Sequence, residues 1–279
     1  HQGIRVITYL GENSLAERFE RGESDFLDHK TQSGESRISF LPEKIRKPLG
    51  VLLGIAIGHA QETQKIKIAC IGNSITYGSG IKDRANDSYP AVLCRLLGAD
   101  KYDVRNYGVG ARTLLNKGDH PYMKEQAYRD ALAFEPDIVT IKLGTNDSKP
   151  YNWKHHAEFK DDLRTLIRSF QELDSHPQIY LCYPIPGTRW SWGINDSTTL
   201  HYVIPYIEEV AKEMNLPIID LYTAFEPYRH LMPDQIHPNP DGAAIIAHEI
   251  ATVLNEKDPK AIKRRQKAAH KMARSQRKR

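Results

Sequence analysis

Cysteine is the scarcest structural resource in this chain: three in 279 residues, an odd number. Cys70 and Cys182 lie inside apolar, strand-like runs, and no two cysteines have the close pairing of a zinc site. A disulfide framework and a structural zinc site are therefore excluded, and buried free thiols are expected. Long apolar runs are also missing. The run from Leu49 to Ile57 falls well short of the roughly 20 residues that span a bilayer, and no other segment reads as a membrane span. No internal repeat is present. Positive charge is confined to one end: residues 256–279 carry eleven Lys/Arg against two Asp/Glu, so with +4 for the whole chain the remainder is at −5. A mildly acidic body and a basic tail without interleaved aromatics give no basis for a nucleic-acid partner.

The chain divides into three parts. Residues 1–63 read as a leader. Within them Lys44, Arg46 and Lys47 precede the apolar run, and Gly58-His59-Ala60 places small residues where a signal peptidase cuts. This is the build of a secretory signal peptide, and a secreted or periplasmic protein is expected; the alternative is a short apolar segment packed on the core. Residues 64–255 form the expected catalytic domain, and 256–279 a flexible basic tail.

From residue 66 onward the pattern is regular. Apolar runs at 66–71, 102–107, 137–143, 178–183 and 217–221 alternate with helix-like segments near 88–98, 122–133, 156–174, 199–214 and 241–254. Such alternation predicts βαβ units, hence an α/β fold with a mainly parallel, five-stranded sheet covered on both faces. Asp241-Gly242, after Pro240, is expected to cap the last helix. In a sheet of this kind ligand chemistry gathers at the carboxyl ends of the strands.

The residues at those ends suit acyl transfer. The first exit carries Asn73-Ser74 and the second Gly108, Gly110, Ala111 and Arg112. The third carries Asn146-Asp147, and the segment before the last helix carries Asp234-x-x-His237. A serine hydroxyl needs a base to take its proton, and a histidine serves if a carboxylate holds its other nitrogen. Ser74, His237 and Asp234 supply that set. The oxyanion needs donors, for which the backbone of Ser74, the Gly110-Ala111 turn and the Asn146 amide are candidates. Asp147 reads as a turn or helix cap. This chemistry requires neither a metal nor an organic cofactor.

These four segments resemble the blocks of the SGNH (GDSL-type) hydrolase family: Ser in block I, Gly in block II, Asn in block III and Asp-x-x-His in block V. The resemblance covers residues 64–254 and is strongest to carbohydrate O-acetylesterases of the acetylxylan, rhamnogalacturonan and sialate types. It implies a flavodoxin-like three-layer α/β/α sandwich and a serine esterase. Two positions depart from the pattern. Asn73 stands where block I usually has aspartate, and the block II glycine position, counted from Asn106, falls on Ala111, with Gly110 just before it.

The expected substrate is an acetylated oligo- or polysaccharide, with Tyr89, Arg112, Trp153, Trp190 and Trp192 as candidate contacts, because aromatic faces stack on sugar C–H surfaces. Tyr151 and Arg189 lie in the same loops. No long apolar lid is legible, which argues against a lipase of long acyl chains. Two other readings remain open: a lysophospholipase- or thioesterase-like member, and a catalytically inactive carbohydrate-binding relative.

Overall fold

The computed structural model describes residues 64–256. The expected leader and its signal-like segment, and the tail from residue 257 onward, lie outside the described residues.

Five parallel strands form one sheet: β1 (Ile66–Gly72), β2 (Tyr102–Gly108), β3 (Ile138–Lys142), β4 (Gln178–Cys182) and β5 (Ile218–Ile219), in the order β2-β1-β3-β4-β5. Central strands of such a sheet are buried on both faces, which is why β1 and β3 read as nearly continuous apolar runs. Alternate side chains enter two separate cores. Ala69, Ile71, Val139, Ile141, Ile179 and Leu181 point into one. The helices α3 (Gln126–Ala133), α4 (Phe159–Gln171) and α5 (Ile204–Glu213) close it. Ile68, Cys70, Tyr180, Cys182 and Ile219 point into the other, beneath α2 (Tyr89–Leu97) and α6 (Pro240–Asn255). Before them in the chain comes the single turn α1 (Ser74–Tyr77). The expected α/β sandwich is thus the observed one, and all three cysteines are free thiols.

Several boundaries differ from expectation for local reasons. The segment 122–133 breaks at Glu125, which is extended (φ −81°, ψ 153°) and separates a 3-10 turn from α3. The segment 199–214 opens as a π turn over Thr199–Val203. Pro205, just inside α5, has no N–H to return to His201, which loosens the turn at that point. Strand β5 keeps only two residues because Asp220 already caps the next helix, accepting from Thr223 N–H at 2.9 Å. The cap of α6 is Asn239, not Asp241-Gly242: the Asn239 side chain accepts from Gly242 N–H at 2.9 Å, and Asp241 lies inside the first turn.

Candidate active site

The strand register aligns the exits. Gly72 pairs with Gly108 on one side and with Lys142 on the other, so β1, β2 and β3 end in one row. Close packing requires both glycines. A Cβ on Gly72 would lie 2.0 Å from Thr76 Oγ1 and 2.9 Å from the Lys142 carbonyl, and one on Gly108 would lie 2.2 Å from the Tyr77 nitrogen. Helix α1 can therefore sit directly on the strand ends. Asn73 caps it by accepting the Ile75 N–H at 3.1 Å, which places Ser74 at the first helical position. The aspartate usual here would make the same bond, so the substitution leaves the geometry intact. Asn106 ties the second exit to α1, donating to the Thr76 carbonyl at 2.8 Å while accepting the Gly108 N–H at 2.9 Å.

His237 Nε2 lies 2.8 Å from Ser74 Oγ, and His237 Nδ1 lies 2.7 Å from Asp234 Oδ2. The loop carrying this pair does not leave a strand directly, as the spacing suggested. It follows β5 through a helix (Leu221–Phe225) and a 3-10 segment (Glu226–Leu231). It still reaches the same sheet edge, turning at Gln235 with φ of 69°. Asp234 Oδ1 accepts the backbone N–H groups of His237 (2.7 Å) and Ile236 (3.1 Å), while Oδ2 also accepts from Arg189 Nη1 at 2.8 Å. Burial pushes the Asp234 carboxyl up, but the His237 backbone N–H, the imidazole and the Ile236 N–H together hold it below its usual value.

Beside Ser74, the second exit makes its turn at Ala111, whose φ is 65°, whereas Gly110 does not have a positive φ. The glycine-like conformation thus occurs at Ala111, the position the family pattern assigns to glycine. Asn146 is buried and donates one amide hydrogen to the Arg112 carbonyl at 3.1 Å, which leaves its second for another acceptor. Asp147, next in sequence, is no mere cap. Fully buried, it accepts the N–H groups of Leu115 (2.8 Å) and Leu114 (3.1 Å), latching the second exit loop to the third. Burial pushes its carboxyl up to about 6 against the pull of those two N–H groups. The residue was visible in "GTND", but its partners lie more than 30 positions away and no local pattern announces them.

The candidate sugar contacts separate into two groups. Trp190 and Trp192 are exposed (75% and 45%), and the Trp192 ring lies 5.8 Å from the His237 ring between centroids. Of the other three, Tyr89 is corrected, and Arg112 and Trp153 have partners within the protein. Tyr89 is 1% exposed in the core, where its hydroxyl meets Thr76 Oγ1 at 3.1 Å, so it supports α1 from below. Arg112 is held by Glu125 at 2.9 Å and by the Gly110 carbonyl at 2.7 Å, which braces the turn. Trp153 ends the short helix Pro150–Trp153 and packs among His156, Phe159, Tyr202 and Tyr206. Tyr151 is half exposed and bonds Asp119 through its hydroxyl at 3.1 Å.

Residues 70–245 match the profile of the GDSL-like lipase/acylhydrolase family. The chain belongs to that family. An acetylxylan esterase of Xylanibacter ruminicola is 46% identical over 213 residues, which are 70% of this chain and 44% of the relative. The chain thus spans less than half the length of the curated relative it matches. Among solved structures, a carbohydrate acetylesterase from Sinorhizobium meliloti superposes with a TM-score of 0.56 at 19% identity, covering 68% of this chain and 98% of that one. The aryl esterase of M. smegmatis gives 0.55 at 20% identity, over 67% and 97%. These two likenesses show that the α/β fold is shared. Among the described residues no helix is long and apolar enough to cross a membrane.

Proposed function

We propose that this protein is a serine esterase that removes acetyl groups from carbohydrates. The observation that carries the reading is the unbroken chain from Ser74 Oγ to His237 Nε2 (2.8 Å) and from His237 Nδ1 to Asp234 (2.7 Å). In this reading Nε2 removes the Ser74 proton as Oγ attacks the ester carbonyl, and Asp234 steadies the imidazolium that forms. The oxyanion is received by the Ser74 and Ala111 N–H groups and by the free amide hydrogen of Asn146. The imidazolium then gives its proton to the sugar oxygen as the acyl C–O bond breaks, so the sugar leaves with a free hydroxyl and the acetyl group stays on Ser74. Water, deprotonated by the same nitrogen, releases acetate and restores Ser74.

Two facts favour a small acyl group on a sugar. The exposed Trp192 ring lies against His237 and can offer a face to a pyranose, with exposed Trp190 in the same loop, and the relative with 46% identity is an acetylxylan esterase. The test is acetate release from acetylated xylan, pectin fragments and acetylated sialic acid, with Ser74→Ala as control. Release in the wild type and a loss of at least about 10³-fold in the variant are expected. Turnover of long-chain acyl esters with no acetate released from any glycan would overturn the reading. Retained activity in Ser74→Ala would overturn the mechanism.

A further inference from the structure

Arg189 reaches the Asp234–His237 pair from the loop that carries the exposed tryptophans. Its Nη1 donates at 2.8 Å to Asp234 Oδ2, the same oxygen that the imidazole Nδ1 meets at 2.7 Å. Its guanidinium lies 3.6 Å above the Trp192 ring, and that ring in turn lies against the His237 ring. Arg189, Asp234, His237 and Trp192 therefore form a closed ring of contacts. The loop that holds them is pinned: Arg189 and Ile194 exchange both backbone hydrogen bonds (3.1 and 3.2 Å), and the turn between them ends at Gly193 with φ of 71°. The other carboxylate nearby is already occupied, since Asp196 accepts from Gly187 N–H, Tyr222 and Arg229.

We propose that Arg189 is a positioning residue for the catalytic pair, and that Trp192 acts on the same pair by holding Arg189. The proposal rests on the Ser74–His237–Asp234 reading above. An ordinary half-exposed ion pair contributes at most about 1 kcal/mol and touches no reaction step. Here the shared acceptor is the oxygen that orients the base. The His237 and Ile236 N–H groups still tether Oδ1 when Arg189 is absent, but Oδ2, the oxygen that orients the imidazole, loses its second donor, and the imidazole is left less firmly aimed at Ser74 Oγ. Misplacement of a reacting group by about 1 Å costs on the order of 10²-fold in rate. The stack on Trp192 supplies the second restraint, because a guanidinium over an indole face cannot swing out to solvent without losing that contact.

The arrangement gives Trp192 two duties, contact with a sugar and support of the base, which kinetics can separate. The experiment measures kcat and KM for p-nitrophenyl acetate, which carries no sugar, in Arg189→Gln, Arg189→Lys, Trp192→Ala and the double variant Arg189→Gln/Trp192→Ala. Active sites are counted by end-point labelling with a fluorophosphonate, so that each kcat refers to competent protein, and Ser74→Ala is run alongside. We expect Arg189→Gln to lower kcat about 10- to 100-fold with KM within about twofold. Arg189→Lys should recover part of the loss, and Trp192→Ala should lower kcat on this sugar-free ester as well. The double variant should be no worse than Arg189→Gln alone. A kcat within twofold of wild type in Arg189→Gln would overturn the proposal, as would losses that multiply in the double variant. So would a Trp192→Ala effect seen only in KM for acetylated xylo-oligosaccharides. In each of those cases an inactive Ser74→Ala leaves the serine-esterase reading standing, whereas an active one removes that reading first.

Discussion

On one side of Ser74, Asn146 and the turn at Ala111 are fixed by buried groups: the Asp147 carboxylate holds two backbone N–H groups and the Asn146 amide holds the Arg112 carbonyl. On the other side, Asp234 is held at Oδ1 by two backbone N–H groups, but its Oδ2, which meets His237, is shared with Arg189, and the Arg189 and Asp234 side chains are 31% and 32% exposed. The difference lies in what each side is able to respond to. Donors held by bonds between the exit loops present the same geometry to every substrate, because none of those bonds involves an exposed rim side chain. Groups held by half-exposed side chains share those side chains with whatever binds at the rim. The proposed oxyanion side should be indifferent to the alcohol part of the ester, and the proposed base side should not.

Asn146→Ala is the sharpest way to break this contrast. Losing one oxyanion donor typically costs about 10²–10³-fold in kcat, roughly 3–4 kcal/mol. The loss should be equal for p-nitrophenyl acetate and for acetylated xylo-oligosaccharide, with KM little changed for either. A loss confined to the oligosaccharide would move Asn146 into the substrate-contacting group and erase the division.

The next largest effect concerns stability beneath the buried side. Lys142, the last residue of β3, is fully buried, and its Nζ has no hydrogen-bond partner among the described residues. Burial pulls its amine down from 10.5 to about 7, with Cys182 opposing weakly. The folded state thus binds fewer protons than the unfolded chain between about pH 7 and pH 10.5, so this residue destabilises the protein in full below that window and progressively less as pH rises through it. The effect of burying such a charge is on the order of a few kcal/mol after the surroundings relax. Lys142→Met, similar in length and apolar, should stabilise the fold by that amount at pH 7 and by almost nothing above pH 10.5. Urea unfolding of both proteins at the two pH values checks the difference, and an equal gain at both would show that packing, not charge, is responsible.

The contrast between the two sides also marks how far sequence alone reaches. Strand runs, alternating helices and the row of exits were legible because they depend on local periodicity and on residue types that few other roles demand. Ser74, Asn146, Asp234 and His237 stood out for the same reason, and the structure brings Ser74, His237 and Asp234 into one hydrogen-bonded line. The roles of Tyr89, Arg112 and Trp153 were not legible, since a tyrosine or tryptophan in an exit loop has the same spelling whether it faces solvent or the core. Asp147 and Arg189 were visible, but their partners were not. Each works through a partner more than 30 positions away, Asp147 through Leu114 and Leu115 and Arg189 through Asp234, and such pairings emerge only when the chain folds.

The smallest expected effect bears on the residue that stands at the family's glycine position. Ala111 has φ of 65°, where a side chain costs roughly 1–2 kcal/mol relative to glycine, whereas Gly110 lacks a positive φ and an added Cβ there would meet nothing within 4 Å. Ala111→Gly removes that strain but loosens the unfolded chain by about 0.4–1 kcal/mol, so stability should rise by no more than about 1.6 kcal/mol, with kcat within twofold. Gly110→Ala should leave kcat unchanged and raise stability by about 0.4–1 kcal/mol. Ala111→Val places a β-branched side chain in the left-handed region and should lower both stability and kcat, because the turn can then relax only by moving its N–H. The reverse pattern, with Gly110→Ala damaging and Ala111→Val tolerated, would transfer the oxyanion N–H to Gly110 and shift the buried side of the site by one residue.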